Sequence, residues 1–369
     1  MTDATMRVLP NPRRGVPGIV VLPTGGFRRA RAAITAWEAY APTPLHDLPD
    51  LARRLGVGCI RVKDEAPRFG LGSVKALGGA YAVQGVMESA RALGRDSVTV
   101  ACATEGNHGR SVAWGAARFG ASALILVHPG VSPARREAIE ALGATVHEVP
   151  GTYDDAVRAA ATLPEAQVVS DTSWPGYTEI PRDIMQGYRL MPDEALDQWT
   201  GPPPTHVFIQ AGVGGIAAAV SVQLRARGIA AALVIVEAAG AACLQASAAA
   251  GQLVSVLVEM GQVEMGPVGM GRRRTLMAGL ACGTPSLLAW QELERAAAAF
   301  VSIPDHAAVA AMRVLASAGI ASSATGAAGL GALVLVAEAG ALELTPASRV
   351  LLFSCEGGTD PARDASLVA

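Results

Sequence analysis

Aromatic residues make up only 4% of the 369-residue chain, so its core must be built mainly from Ala, Val, Leu and Ile. Lysine is scarcer still. Of 30 basic residues only Lys63 and Lys75 are lysines, so chemistry that needs a side-chain amine has two candidates. The five cysteines, Cys59, Cys102, Cys243, Cys282 and Cys355, stand apart with no C-x-x-C pair. That spacing argues against a disulfide framework and against a metal site. No run approaches the roughly 18 apolar residues of a membrane span. Met1–Arg14 lacks the basic-then-apolar order of a signal peptide, so a cytoplasmic protein is expected. The formal charge of -2 leaves no basic excess for nucleic acid or a membrane surface. A composition 51% hydrophobic and 17% charged excludes disorder, and the length predicts two domains or two lobes sharing one site.

Short β-branched runs alternate with longer Ala-rich helical patterns. The strand candidates are Cys59–Val62, Ser97–Ala103, Ala123–Val127, Thr145–Val149, Gln167–Val169, Val207–Gln210, Leu233–Val236 and Val350–Phe353. They are continuous rather than alternating, as parallel strands covered on both faces are. Helical stretches lie between them at Val74–Leu93, Asn107–Phe119, Pro133–Leu142, Ile216–Arg227 and Gly326–Ala339. Repeated strand–helix–strand order predicts an α/β fold with open, twisted, mostly parallel sheets. The Pro-rich patch Gly201–Pro204 marks a lobe boundary.

Three segments could carry chemistry. In the first, Lys75 opens a helical pattern, where unpaired N–H groups and the positive dipole end disfavour an ammonium and favour a nucleophilic amine. Spacing alone favours the plainer alternative, a solvated lysine on a first helical turn. The second is Thr104-Glu105-Gly106-Asn107-His108-Gly109, a polar turn between strand and helix that offers N–H groups to an anion. His108 by itself reads as a packing histidine. The third, Gly212-Val213-Gly214-Gly215, again follows a strand and opens a helix, so its backbone can close around a phosphate. It does not fit G-x-G-x-x-G and has no ribose-binding acid at the usual spacing, which disfavours a dinucleotide. An amine, a phosphate cup and an anion-binding turn together form the inventory of a pyridoxal-phosphate site.

On these residues the sequence resembles the fold-type II pyridoxal-phosphate enzymes, the tryptophan synthase β superfamily, and within them the diaminopropionate ammonia-lyase family. The resemblance runs over nearly the whole chain after Val62. It rests on Lys63-Asp-Glu, Arg68-Phe-Gly-Leu, Lys75-Ala-Leu-Gly-Gly, Glu105-Gly-Asn-His-Gly-Arg110, Asp171-Thr-Ser-Trp-Pro-Gly-Tyr177, Gly212-Val-Gly-Gly215, Thr275-Leu-Met-Ala-Gly-Leu280 and Glu356-Gly357. It implies two sheet domains with the active site in the cleft between them: residues 1–85 plus 189–369 as the larger, 86–188 as the smaller. It also implies a homodimer.

The resemblance assigns roles residue by residue. Lys75 is the Schiff-base lysine, Gly212, Val213, Gly214 and Gly215 the phosphate cup, and Asn107 the partner of the cofactor's phenolic oxygen. A small hydroxyl residue is expected to face the pyridine nitrogen; Ser354 is the choice and Cys355 the alternative. Lys75, Glu105 and Asp171 are the catalytic set, with Asp171 holding the cationic β-amino group. Thr104, Glu105, Gly106, His108, Tyr153, Asp171 and Thr359 are the candidate substrate contacts. The implied reaction is α,β-elimination of 2,3-diaminopropionate to pyruvate and ammonia. Two departures stand out: Glu105 replaces an aspartate and is one methylene longer, and Gly358 occupies a position where the family commonly carries an acid. They motivate an alternative, a dehydratase or β-replacement enzyme on another β-substituted amino acid. A non-catalytic cofactor-binding regulator is a third reading.

Overall fold

The computed structural model describes residues 5–104, 106–151, 153–258 and 275–368. Among these residues eleven strands form two sheets. The strands are β1 (Arg7–Pro10), β2 (Leu45–Asp47), β3 (Cys59–Asp64), β4 (Thr99–Ala103), β5 (Ser122–Val127) and β6 (Thr145–Glu148), followed by β7 (Ala166–Val168), β8 (His206–Gln210), β9 (Ala232–Ala238), β10 (Ala299–Ile303) and β11 (Arg349–Ser354). The larger sheet runs β1-β10-β9-β8-β11-β3-β2 and the smaller runs β6-β5-β4-β7. All neighbours pair in parallel except the two edges, β1 on β10 and β2 on β3.

The predicted parallel strands are all present, each within about two residues of its expected ends. Three further strands, β1, β2 and β10, complete the larger sheet. β1 and β2 are short edge strands with little hydrophobic pattern to signal them. β10 is joined to the preceding helix through four consecutive alanines, Ala296 to Ala299, so its apolar run merges with the helical one in sequence.

Helices cover both sheets, and their Ala-rich faces let them pack closely. The core is continuous across the two sheets: Val100 and Ile125 of the smaller belong to the same buried cluster as Val207, Ile235 and Leu351 of the larger. The helices Lys75–Ala92 and Asn107–Phe119 lie at the seam between them. Strand ends on both sides therefore face one cleft, the usual location of a ligand site in parallel α/β sheets.

Candidate active site

The cleft encloses roughly 820 Å³ of empty space, part of it open to solvent, a size suited to a small-molecule ligand. Lys75 reaches it from the first turn of its helix. Two ties fix this turn. Val74 N–H donates to the carbonyl of Cys355 at 3.0 Å, and the Ser111 hydroxyl donates to the Lys75 carbonyl at 2.6 Å. Across the cleft Asp171 follows β7 on a loop pinned by Tyr177, whose hydroxyl donates to Val168 O (2.9 Å) and accepts from Ser170 N (3.0 Å). The Lys75 ammonium Nζ lies 2.5 Å from Asp171 Oδ2.

This pair corrects the expectation for Lys75. Burial and the helix start do disfavour its cation, but the Asp171 carboxylate more than offsets both, so the amine is held as ammonium and its pKa is raised. Burial alone would push the Asp171 carboxyl up; the Lys75 ammonium holds it down at about 2. Each group favours the ionised form of the other. The second lysine is no competitor: Lys63 is fully buried and held by Thr43 O (2.6 Å), Gln198 Oε1 (2.9 Å) and Glu194 Oε2 (2.8 Å).

The glycine segment forms the floor. Gly212–Gly215 line the cleft where the helix Gly215–Ala226 begins, and the first N–H groups of a helix have no partner within it. A Cβ on Gly212 would lie 2.8 Å from Gly279 O and 2.9 Å from Cys282 Sγ, so no larger residue fits. Gly214 has φ +96°, a conformation that side chains disfavour. The cradle exists because these positions carry no side chain.

The polar turn supplies the opposite wall. The Thr104 hydroxyl accepts from Gly106 N and Gly109 N, both at 2.9 Å, which turns Asn107 and His108 toward the cleft. His108 Nε2 sits 2.7 Å from Val169 O; a carbonyl only accepts, so Nε2 carries the proton. Nδ1 is then an unprotonated acceptor, buried and without a hydrogen-bond partner, and burial lowers the imidazole pKa. Tyr153 also lines the cleft.

Not every expected residue arrives there. Glu105 lies outside the described residues. Ser354 is buried and donates to the Ser322 hydroxyl at 2.9 Å; Cys355 instead lines the cleft. Neighbouring side chains at a strand end point opposite ways, so of the two only one reaches the site. Thr359 is also off the wall, donating to Glu356 Oε1 at 2.7 Å. Gly358 is exposed. Sequence reasoning missed Arg135 and Glu356 as wall residues, an ion pair at 3.2 Å. Glu356 stood in a matched motif without a role, and nothing in the local pattern separates Arg135 from Arg136.

Residues 36–356 match the family model "Pyridoxal-phosphate dependent enzyme". The chain is 40% identical to diaminopropionate ammonia-lyase of Escherichia coli (strain K12), covering 87% of this chain and 85% of that relative. It belongs to this family of pyridoxal-phosphate dependent enzymes. A crystal structure of the Escherichia coli ammonia lyase with an aminoacrylate-PLP azomethine reaction intermediate is 36% identical, with a TM-score of 0.89 covering 99% of this chain and 97% of that one. At 19% identity, threonine deaminase isoform 2 of Solanum lycopersicum shares the fold, with a TM-score of 0.76 over 100% of this chain and 94% of its own. The family's cofactor suits the cleft: a glycine floor with free N–H groups, an amine on the wall, and polar groups opposite.

Proposed function

We propose that this cleft eliminates ammonia from 2,3-diaminopropionate, the released enamine then taking up water to give pyruvate and a second ammonia. The observation that carries the reading is the Lys75–Asp171 pair at 2.5 Å beside the glycine cradle. Pyridoxal phosphate, when bound, supplies an electron-withdrawing ring that acidifies the substrate's Cα–H. Gly212–Gly215 would hold its phosphate through backbone N–H groups, Lys75 its aldehyde carbon and Asn107 its phenolic oxygen; because Cys355 lines the cleft and Ser354 does not, we assign Cys355 to the ring nitrogen.

The residues then divide the proton work. Lys75, once its amine is free and neutral, would take the α-proton on its own face. Asp171 is a carboxylate across working pH, suited to hold a β-ammonium in place of Lys75 and to orient its departure. Glu105 is assigned the base on the opposite face. Thr104 and Gly106 shape the turn that receives the substrate carboxylate, His108 supports Asp171 from behind, and Tyr153 borders the substrate. A buried pair of opposite charges beside an open cleft is costly to keep without turnover, which speaks against a binding-only protein.

The substitution of Glu105 for the family's aspartate favours one rival, elimination from another β-substituted amino acid. A substrate panel separates the two. Diaminopropionate should release two ammonia per pyruvate; turnover of serine or threonine, with none of diaminopropionate, would establish the rival. We further assign residues 86–188 as the smaller lobe, supported by the smaller sheet falling within that span, and expect a cytoplasmic homodimer.

A further inference from the structure

Tyr188 has no role in the scheme above, yet it is placed at considerable cost. It ends the helix Glu179–Tyr188 and is 1% exposed. Its ring presses against Gly78, one turn along Lys75's own helix, so tightly that a Cβ on Gly78 would collide with it. The close helix crossing leaves the Lys75 ammonium 5.5 Å from the ring centroid, within cation–π range. The hydroxyl is buried and makes no hydrogen bond of good geometry. Phenylalanine would fill the same space without an unmet polar group, so the hydroxyl calls for an explanation.

We infer that Tyr188 is a positioning residue for Lys75: its ring supports the amine in the resting chain, and its hydroxyl is the partner the amine turns to when Asp171 is engaged by a cationic leaving group. This rests on the assignment of Asp171 above.

The groups around Lys75 leave few other partners. Asp171 faces it from the loop after β7, His108 from the helix Asn107–Phe119, Tyr188 from the helix Glu179–Tyr188, and Cys282 and Cys355 from adjoining loops. Asp171 is the one anion among them at neutral pH. The Tyr188 ring lies 5.5 Å from the Lys75 nitrogen, whereas His108 is tied to Val169 O. Burial raises the phenol's pKa, so Tyr188 takes part as a neutral hydroxyl. When substrate occupies Asp171, an amine without a new partner would swing; one seated on Tyr188 stays in reach of the α-proton.

Two measurements test this. In the holoenzyme, Tyr188→Phe should lower kcat by about 10- to 100-fold with KM nearly unchanged, the signature of a misplaced reacting group. The second needs no substrate. In the full-length chain stripped of cofactor, trinitrobenzenesulfonate labelling read by peptide mapping follows Lys75, because Lys63 is buried. With Asp171→Asn standing for an occupied Asp171, adding Tyr188→Phe should move the pH midpoint of Lys75 labelling down by about one unit, since an accepting hydroxyl favours ammonium. With Asp171 intact the shift should be smaller. An unchanged midpoint in the Asp171→Asn background overturns the inference, as does an unchanged kcat. A melting temperature that falls in Tyr188→Phe, with kcat and KM changing together, would mean that the hydroxyl is structural. A labelling shift in a chain that turns over no diaminopropionate would retire the substrate and keep Tyr188 as the seat of Lys75.

Discussion

Lys75 and Asp171 hold each other in their charged forms, and that sets what substitution at either one does. Asp171 is depressed to about 2, below the ~3.9 of an unfolded chain. A depressed carboxyl stabilises the fold fully above its unfolded value and loses that contribution as pH falls toward its folded one. In the cofactor-free chain, thermal melts should therefore show a constant cost of Asp171→Asn from pH 5 to 9, shrinking below about pH 4. Catalytically, Asp171→Asn should lower turnover of both diaminopropionate isomers, because leaving-group handling is common to both. Glu105→Gln should differ. Bases on opposite faces meet opposite α-protons, so it should impair the D-isomer about 10²-fold or more beyond the L-isomer in kcat/KM. Equal losses for both isomers would reduce Glu105 to a shaping role. The candidacy of Lys75 was legible from the lack of other lysines, but its charge state was not. Asp171 lies 96 positions away, and only the fold brings the two together.

Elements explain which parts of the site sequence could show. Glycines between a strand and a helix announce a cradle locally, and Gly212–Gly215 lies where that pattern put it. Gly212→Ala should lower cofactor occupancy at least ~10-fold, read by absorbance after dialysis, because the new Cβ meets backbone at Gly279. Choosing between Ser354 and Cys355 needed the facing of a strand end, which one residue of uncertainty in β11 reverses. The segment leading into the Lys75 helix rests on a buried ionic network equally invisible in sequence. Arg68 bonds both carboxylate oxygens of Glu65 (2.9 and 2.8 Å) and both of Glu194 (2.9 and 2.8 Å), while Lys63 pairs with Glu194. Glu194→Ala would leave buried Lys63 without a carboxylate and Arg68 with Glu65 alone, and denaturant melts should show a loss of about 3–5 kcal/mol. A loss below about 1 kcal/mol would mean that water reaches the network.

At the scale of the molecule, α/β class and parallel sheets followed from alternating runs and short turns, because those features repeat along the chain, whereas the cleft was expected from the family resemblance. Contacts across the cleft did not. Arg135 comes from the helix Pro133–Glu140 beside the smaller sheet, and Glu356 from the loop after β11 of the larger. Their ion pair spans the two sheets at the cleft wall. Arg135→Gln should loosen that wall and raise KM several-fold with a smaller change in kcat, since neither member of the pair handles a proton in the proposed reaction. The two sheets matter because one supplies Asp171 and the other the glycine cradle, with Lys75 at the seam. The most direct test of that arrangement is borohydride reduction of the purified protein, followed by peptide mapping of the phosphopyridoxyl group. The account predicts a single modified lysine, Lys75; modification at Lys63, or none at all, would contradict it.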